Sequence, residues 1–337
     1  PKGEDASRIL LNKGAVYFNR GLFSRALQAY APVIEKGSHD SLFYRALLLT
    51  GHCRFGRDKW PEAAEAFERV ARNASNTELQ QEAYTFLLKS HYLMARKLLD
   101  DGATEQAAEA FIDIEERFPQ SEYGDVVLFN AAEAFEKLNR LPKACWTYLR
   151  LADAYPNSAL APEALFNAAT AFESHGNYNR AAQAYERLVA DYPEAEKSKD
   201  ALFNVGLCYE KLGKLDKMAR AHERYSERYP GEADVKALLL RSAKYYDKAG
   251  MKEKAAEVYR NFVERYELTP EAVEAVFRIG MLQASRGDTA GALDKFREAM
   301  KYNAELAEQG LEDNNFAAGE AAFAVGEIAR VRCASIR

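Results

Sequence analysis

The sequence has few cysteines, no surplus of basic residues and no long apolar run. Its four cysteines are Cys53, Cys145, Cys208 and Cys333. They are too scattered for a disulfide framework, so we expect unpaired thiols. The 46 lysines and arginines are outnumbered by 51 aspartates and glutamates, which leaves no basic field for nucleic acid. No stretch approaches the roughly 18 uncharged apolar residues of a membrane-spanning helix. We therefore expect neither a nucleic-acid partner nor a transmembrane segment.

Motifs that hold metals, phosphates or cofactors are also missing. There is no glycine-rich phosphate loop, no Cys-x-x-Cys and no His-Glu-x-x-His. The histidines fall at unrelated positions, and His222 is expected to be a core residue. We therefore predict a protein that is not an enzyme, with no catalytic residue, no metal and no cofactor. Hydrophobic residues make up 48% of the 337 residues, enough to bury a sizeable core and too many for a disordered chain.

A repeat of 37 residues dominates the sequence. Four sets of positions, which we call columns, recur in one register. An aromatic–proline column contains Phe118-Pro119, Tyr155-Pro156, Tyr192-Pro193 and Tyr229-Pro230. An aromatic column contains Phe111, Tyr148, Tyr185, His222, Tyr259 and Phe296. A small-residue column contains Ala107, Ala144, Ala181, Met218, Ala255 and Ala292. A turn column contains Gly102, Asn139, Gly176, Gly213, Gly250 and Gly287.

Each repeat reads as two helices. In the fifth repeat, Leu165, Ala169 and Phe172 recur at helical spacing before Gly176, a residue that readily ends a helix. A second apolar face follows, and Pro193 cannot continue that helix. The earlier repeats keep the same columns, but one step of 44 residues predicts a single long helix over 77–99. A later step of 46 places extra length in 303–316.

These columns resemble the tetratricopeptide repeat (TPR). Leu128, Ala131, Ala132 and Phe135, followed by Ala144, Tyr148 and Pro156, match its pattern, and so does the next repeat. The resemblance implies an all-α, right-handed α-solenoid of helix-turn-helix units. We expect one solenoid over 1–337, with about eight repeats and a partial ninth. The predicted repeats cover 7–38, 41–75, 77–119, 122–156, 159–193, 196–230, 233–267 and 270–303. Residues 304–337 are expected to form an extension plus a partial repeat or capping helix.

The resemblance implies that a partner binds along the first helices of the repeats, in a concave groove. Three columns are expected to line it. The first contains Phe129, Phe166, Phe203, Leu240 and Phe277. The second is acidic and contains Glu136, Glu173, Glu210 and Asp247. The third contains Glu133, Thr170, Leu207, Lys244 and Met281. Apolar residues beside carboxylates favour a protein or peptide partner with basic and apolar residues.

Structural roles for the same residues remain open. The phenylalanines can pack between adjacent repeats, and the acidic column can be a solvated helix face. Asn130, Asn167 and Asn204 recur beside the phenylalanines, where a structural hydrogen bond is expected. Each alternative competes with a direct role in binding.

The Tyr-Pro linkers and the 37-residue register resemble bacterial envelope repeat proteins, such as the TolA-binding periplasmic protein and the lipoprotein of the β-barrel assembly machine. That resemblance implies a non-enzymatic scaffold in the bacterial periplasm or at the outer membrane, with the cytoplasm as the alternative. A second hypothesis is a helical, non-catalytic regulatory domain of a larger enzyme or sensor, since the ninth repeat lacks a second helix. Self-association through the last repeat is a further expectation.

Overall fold

The computed structural model describes residues 2–334, and the side chains of residues 4–331. Every regular element in this range is an α-helix. The chain forms two compact units, Pro1–Ala171 and Phe172–Arg337, and the boundary falls within the ninth helix. The all-α helical-repeat solenoid predicted from the columns is confirmed. A single continuous solenoid and the limits of its repeats stay predictions.

Unit 1 contains eight complete helices and most of a ninth. They are α1 (Lys2–Asn19), α2 (Phe23–Glu35), α3 (Ser41–Phe55), α4 (Trp60–Asn73), α5 (Thr77–Asp100), α6 (Thr104–Arg117), α7 (Gly124–Lys137), α8 (Leu141–Ala154) and α9 (Ala161–Ser174). We call the odd-numbered helices first helices and the even-numbered helices second helices. Each helix from α1 to α7 packs against the helix that follows it.

Unit 2 continues the alternation. Its helices are α10 (Tyr178–Asp191), α11 (Ser198–Lys211), α12 (Leu215–Arg228), α13 (Val235–Lys248), α14 (Lys252–Arg265), α15 (Pro270–Ala284), α16 (Thr289–Glu308) and α17 (Asn315–Ala334). Consecutive helices from α10 to α17 are in contact. Because contacts are mostly between neighbours in the chain, each helix pair is stabilised mainly by the pairs beside it.

The turn column closes each helix pair as predicted. All six of its residues have positive φ, from 54° at Asn139 to 84° at Gly287. At Gly176 the backbone N–H donates to the carbonyl of Glu173, and the next N–H donates to that of Phe172. This arrangement satisfies carbonyl groups at the end of the helix and reverses the chain.

The aromatic column forms the centre of the core. Tyr148 in unit 1 and Tyr259 in unit 2 are fully buried, and His222 is 3% exposed, so the predicted core histidine is confirmed. The small residues opposite these rings permit the close approach of the paired helices. At Gly51, for example, an added Cβ would lie 2.6 Å from the ring of Phe67, well inside contact distance.

The two irregular steps in the repeat have different structural results. The first is absorbed by α5, which runs without a break from Thr77 to Asp100 and confirms the predicted long helix. The second extends α16 to Glu308 and adds a connection before α17 begins at Asn315. No helix in the described part of the chain combines the length and apolarity required to cross a membrane.

Candidate protein-interaction surfaces

The phenylalanine column packs each first helix onto its own second helix. The ring of Phe129 lies 5.6 Å from that of Tyr148, and the ring of Phe203 lies 5.9 Å from that of Tyr225. Phe129, Phe166 and Phe203 remain half-buried. Leu240 and Phe277 are 7% and 8% exposed, and Phe277 contacts Phe296 at 5.7 Å. The column therefore has a packing role within each repeat, and its half-buried members still have accessible surface.

The acidic column makes hydrogen bonds to the aromatic column. The hydroxyl of Tyr148 donates to Glu136 Oε2 at 3.1 Å, and that of Tyr185 donates to Glu173 Oε2 at 3.4 Å. Both pairs are separated by 12 residues in the sequence. In the later repeats the pattern changes, since His222 replaces the tyrosine opposite Glu210 and the shorter Asp247 stands opposite Tyr259. The Tyr259 hydroxyl is buried without a hydrogen-bond partner in the described structure.

Tyr148 also links neighbouring repeats of unit 1. Its hydroxyl accepts a hydrogen bond from Asn167 on α9 as well as donating to Glu136. Burial, followed by the charge of Glu136, raises the pKa of Tyr148 far above its ordinary value. The tyrosine is therefore a neutral structural group, and Asn167 makes the structural hydrogen bond expected for its position.

The third predicted column is the most accessible of the three. Thr170 is exposed, Glu133 and Leu207 are half-buried, and Met281 is 45% exposed. Lys244 Nζ lies 2.8 Å from Glu274 Oε1 and joins α13 to α15. Apart from Lys244, these residues present both polar and apolar surface along the first helices. Their role in binding stays a prediction.

Charge along the first helices differs between the two units. In unit 1, α7 carries Asp125, Glu133 and Glu136 against the single cation Lys137. In unit 2, α13 carries four cations against Asp247. Those cations are Lys236, Arg241, Lys244 and Lys248, and Asp247 is the only acidic residue on the same helix. Lys236 and Lys244 pair with glutamates of α15. The first-helix surface is therefore more acidic on α7 than on α13.

Reactive groups are buried or serve in packing. The thiols of Cys53, Cys145 and Cys208 are buried and form no disulfide bond among the described residues, and burial raises the pKa of Cys53 to about 11. His52 Nε2 lies 2.8 Å from Glu82 Oε1 and is surrounded by aromatic rings. Among the described residues, no group of three or more histidines, cysteines, aspartates or glutamates is arranged to hold a metal ion. These contacts are those of a helical core.

Sequence reasoning missed two features of these surfaces. One is the hydrogen bond between acidic and aromatic columns, which the constant separation of Glu136 from Tyr148 and of Glu173 from Tyr185 could have revealed. The other is Trp146, an exposed aromatic residue on a second helix. The sequence could have revealed it, because the equivalent positions at intervals of 37 residues, from Glu109 onward, are otherwise polar.

Stacked helix pairs define a class of protein, the helical-repeat interaction scaffold. The family model of the soluble NSF attachment protein (SNAP) matches residues 54–235. Because this match covers more than half of the chain, the chain belongs to that family. A tetratricopeptide-repeat family model matches residues 11–77 and 240–305. The tetratricopeptide-repeat architecture predicted from the columns is thereby confirmed, whereas the narrower envelope group stays a prediction.

Several solved structures are similar to this chain. A tetratricopeptide repeat protein from Parabacteroides merdae is 15% identical, covers 84% of this chain and 98% of its own, and has a TM-score of 0.32. YrrB, described as a TPR protein with an unusual peptide-binding site, is 18% identical, covers 60% and 98%, and has a TM-score of 0.31. MamA is 17% identical, covers 57% and 98%, and has a TM-score of 0.32. At these TM-scores, none supports an argument about the surfaces of this chain. No curated protein matches the sequence.

Proposed function

We propose that the protein is a non-enzymatic scaffold that binds a protein or peptide partner along the accessible faces of its first helices. The observation that carries this proposal is the surface of α7 in unit 1. There, the half-buried ring of Phe129 lies on a helix that also presents Glu133 and Glu136. A partner with an apolar side chain beside a lysine or arginine would gain both apolar contact and charge pairing. Membership of a family named for attachment proteins supports an adaptor role.

The first-helix face of unit 2 is the weaker candidate for the same partner. Leu207 and Met281 supply accessible apolar surface. However, Arg241 and Lys248 are exposed on α13, where they would repel a basic segment. We therefore assign the basic and apolar partner to unit 1.

The test compares proteins captured from lysate of the source cells by the wild type and by Glu133→Gln/Glu136→Gln. Glutamine removes the charge and keeps an oxygen that can accept the Tyr148 hydrogen bond. The matched control is Glu65→Gln/Glu264→Gln, which neutralises two exposed glutamates on second helices. A specific partner should be retained by the control and reduced about tenfold by the first variant, equal to about 1.4 kcal/mol. Equal retention by both variants would overturn the acidic-face proposal.

We also propose that this scaffold works in a multi-protein assembly of the bacterial envelope. The support is the Tyr-Pro linker after α8, α10 and α12, as in Tyr155-Pro156, which resembles the linkers of envelope repeat proteins. Separate captures from the envelope and cytosolic fractions test this location. A charge-sensitive partner found only in the cytosolic fraction would contradict it.

Self-association through α17 is proposed on the basis of its exposed apolar side chains. Phe316 is 80% exposed, Phe323 is 68% exposed and Val331 is 60% exposed. Burying such residues against a second copy would remove apolar surface from water. Light scattering over a concentration series should show a growing mass that Phe323→Gln reduces. A constant monomer mass would exclude this mode of association.

A further inference from the structure

The second helices of unit 1 enclose an apolar cleft that is separate from the first-helix face. It lies between α6 and α8 and has a volume of about 490 Å³. Phe135 of α7 contributes to it, with Ile112 on the α6 side and Pro142 and Trp146 on the α8 side. The side chain of Trp146 is 54% exposed. A tryptophan in this state leaves apolar surface available at the mouth of a preformed depression.

The helical repeat does not require a tryptophan at position 146. The equivalent positions at intervals of 37 residues are Glu109, Gln183, Arg220, Glu257 and Asp294. Each belongs to a second helix of the same length or longer. A position that accepts polar residues in five other repeats does not select tryptophan for packing. The aromatic residue therefore needs another explanation.

The equivalent cleft two repeats later is lined mainly by polar and charged residues. In unit 2, Glu186, Tyr209, Lys217 and Arg220 line a depression of about 410 Å³. The Tyr209 hydroxyl donates to Glu186 Oε1 at 3.0 Å. Thus the glutamate replaces Ile112, the tyrosine replaces Phe135 and the arginine replaces Trp146. The repeat creates the cleft at both places, and only the unit 1 cleft is lined to receive an apolar group.

The rim of the unit 1 cleft is acidic. Glu109, Asp113 and Glu116 line it, and Lys143 is the only cation among its lining residues. The Lys143 ammonium lies 5.1 Å from the centre of the Phe135 ring, over the cleft wall. Glu109 makes no ion pair within the described part of the chain. An incoming cation would therefore meet a carboxylate that is not already neutralised.

Asp113 and Glu116 are only weakly neutralised from within the chain. Asp113 Oδ2 lies 3.5 Å from Arg117, and Glu116 Oε1 lies 3.8 Å from Arg150. Both carboxylates are about 60% exposed, so these pairs contribute little. The negative potential of the rim is retained.

We propose that this cleft is a second docking site, which binds a linear segment of a partner protein with a large apolar side chain flanked by arginine or lysine. The apolar side chain would insert between Trp146 and Ile112. Its basic neighbours would pair with Glu109 and the other rim carboxylates. This site lies on the second helices and is independent of the first-helix face assigned above.

The test uses the fluorescence of Trp146 in a Trp60→Phe background, which removes the only other tryptophan. The probe is an acetylated seven-residue peptide amide of alternating arginine and leucine. Two matched peptides replace arginine with glutamate or leucine with serine. We expect saturable binding of the first peptide with a blue shift of the emission, and at least tenfold weaker binding of the other two. No binding of the first peptide, or equal binding of all three, would overturn the proposal.

Calorimetric titration of variants with the arginine–leucine peptide identifies where that peptide binds. Trp146→Gln installs the residue found at the equivalent position 183, so an unchanged helical fold is expected. This variant and Glu109→Lys should each weaken the arginine–leucine peptide at least fivefold. Arg220→Gln in the equivalent unit 2 cleft should leave its affinity unchanged. Full affinity in Trp146→Gln would overturn the site, whereas loss only in Glu133→Gln/Glu136→Gln would assign the peptide to the first-helix face instead.

Discussion

The helix pairs α7–α8 and α11–α12 occupy equivalent places in the repeat but present different chemistry. Phe135 and Tyr209 hold the same position, and both rings lie beneath a lysine at about the same distance, 5.1 and 5.2 Å. Only the tyrosine has a hydroxyl, which donates to Glu186, and in the earlier pair Ile112 stands at the position of that glutamate. The repeat thus fixes where a cleft forms, while residues outside the fully buried columns determine what it can bind.

The buried aromatic column also differs between these two pairs. In α7–α8, Tyr148 donates to Glu136. In α11–α12, His222 takes the tyrosine position, and its Nδ1 is buried without a hydrogen-bond partner in the described structure. Burial, assisted by the charge of Arg241, lowers the pKa of His222 to about 4. The later pair therefore contains an acid-sensitive group that the earlier pair lacks.

The largest expected difference between the pairs is their response to acid. Unfolded histidine has a pKa near 6.5, and that of folded His222 is about 4. The unfolded state therefore binds the proton more readily, and stability falls as the pH drops from 6.5 to 4. The full loss is about 3 kcal/mol. Protection factors for amide hydrogen exchange, which correct for the intrinsic pH dependence of exchange, should fall in α11 and α12 over this range by more than in α7 and α8.

His222→Tyr provides the control for that prediction, because it restores the residue found in the earlier pair. The difference in exchange between wild type and variant isolates the histidine from carboxylates that titrate nearby. The same acid response in both proteins would contradict the assignment to His222.

The next effect concerns the hydroxyl that distinguishes the two clefts. Tyr209→Phe should lower the free energy of unfolding of unit 2 by about 1.5 kcal/mol, because it removes a hydrogen bond to a carboxylate. Ile112→Glu with Phe135→Tyr should rebuild this pair in unit 1. Urea unfolding of the single and double variants gives the coupling energy, expected to be about 1 kcal/mol in favour of the pair. No coupling would mean that the two clefts are not geometrically equivalent.

A gain in stability is expected where the acidic column is one methylene too short. Tyr259 has a buried hydroxyl without a partner, whereas the glutamate opposite Tyr148 reaches its hydroxyl. Asp247→Glu should supply the missing acceptor and stabilise α13–α14 by about 1 kcal/mol. Thermal unfolding checks the direction, and Asp247→Asn serves as a control that keeps the short side chain. A loss of stability in Asp247→Glu would show that the longer side chain does not reach the hydroxyl.

The smallest expected effect on stability is at the mouths of the clefts. Trp146→Gln and Arg220→Gln should each change the free energy of unfolding by less than about 0.5 kcal/mol, as surface substitutions usually do. A loss above about 2 kcal/mol in Trp146→Gln would identify the tryptophan as a core residue. The binding argument for the unit 1 cleft would then lose its basis.

Much of the fold was predictable because it depends on residues that recur. The turn column was predicted to end helices, and its members adopt positive φ. The aromatic column was predicted to fill the core, and Tyr148 and Tyr259 are fully buried. Each of these roles is repeated in the same local setting, so the sequence contains several independent samples of one structural requirement.

The surfaces were less predictable because they depend on departures from the repeat. Phe129 and Phe203 could be placed on first helices, but their contacts with the paired second helices became evident only in three dimensions. The acidic column was expected to face a partner, yet Glu136 and Glu173 also accept hydrogen bonds from buried tyrosines. The column to which a residue belongs predicts the side of the helix on which it lies, but it does not predict which side chains it contacts.

The helical repeat, its 37-residue register and its aromatic core follow from the amino-acid sequence alone, because steric and apolar requirements recur at fixed spacing. Only the tertiary structure decided that Ile112 and Trp146, 34 residues apart and on different helices, line one cleft with Phe135 beside them. It also decided that Tyr209 finds an acceptor in Glu186 and that Tyr259 finds none. Such juxtapositions depend on how three helices pack together, and the spacing of residues along a single helix does not predict that packing.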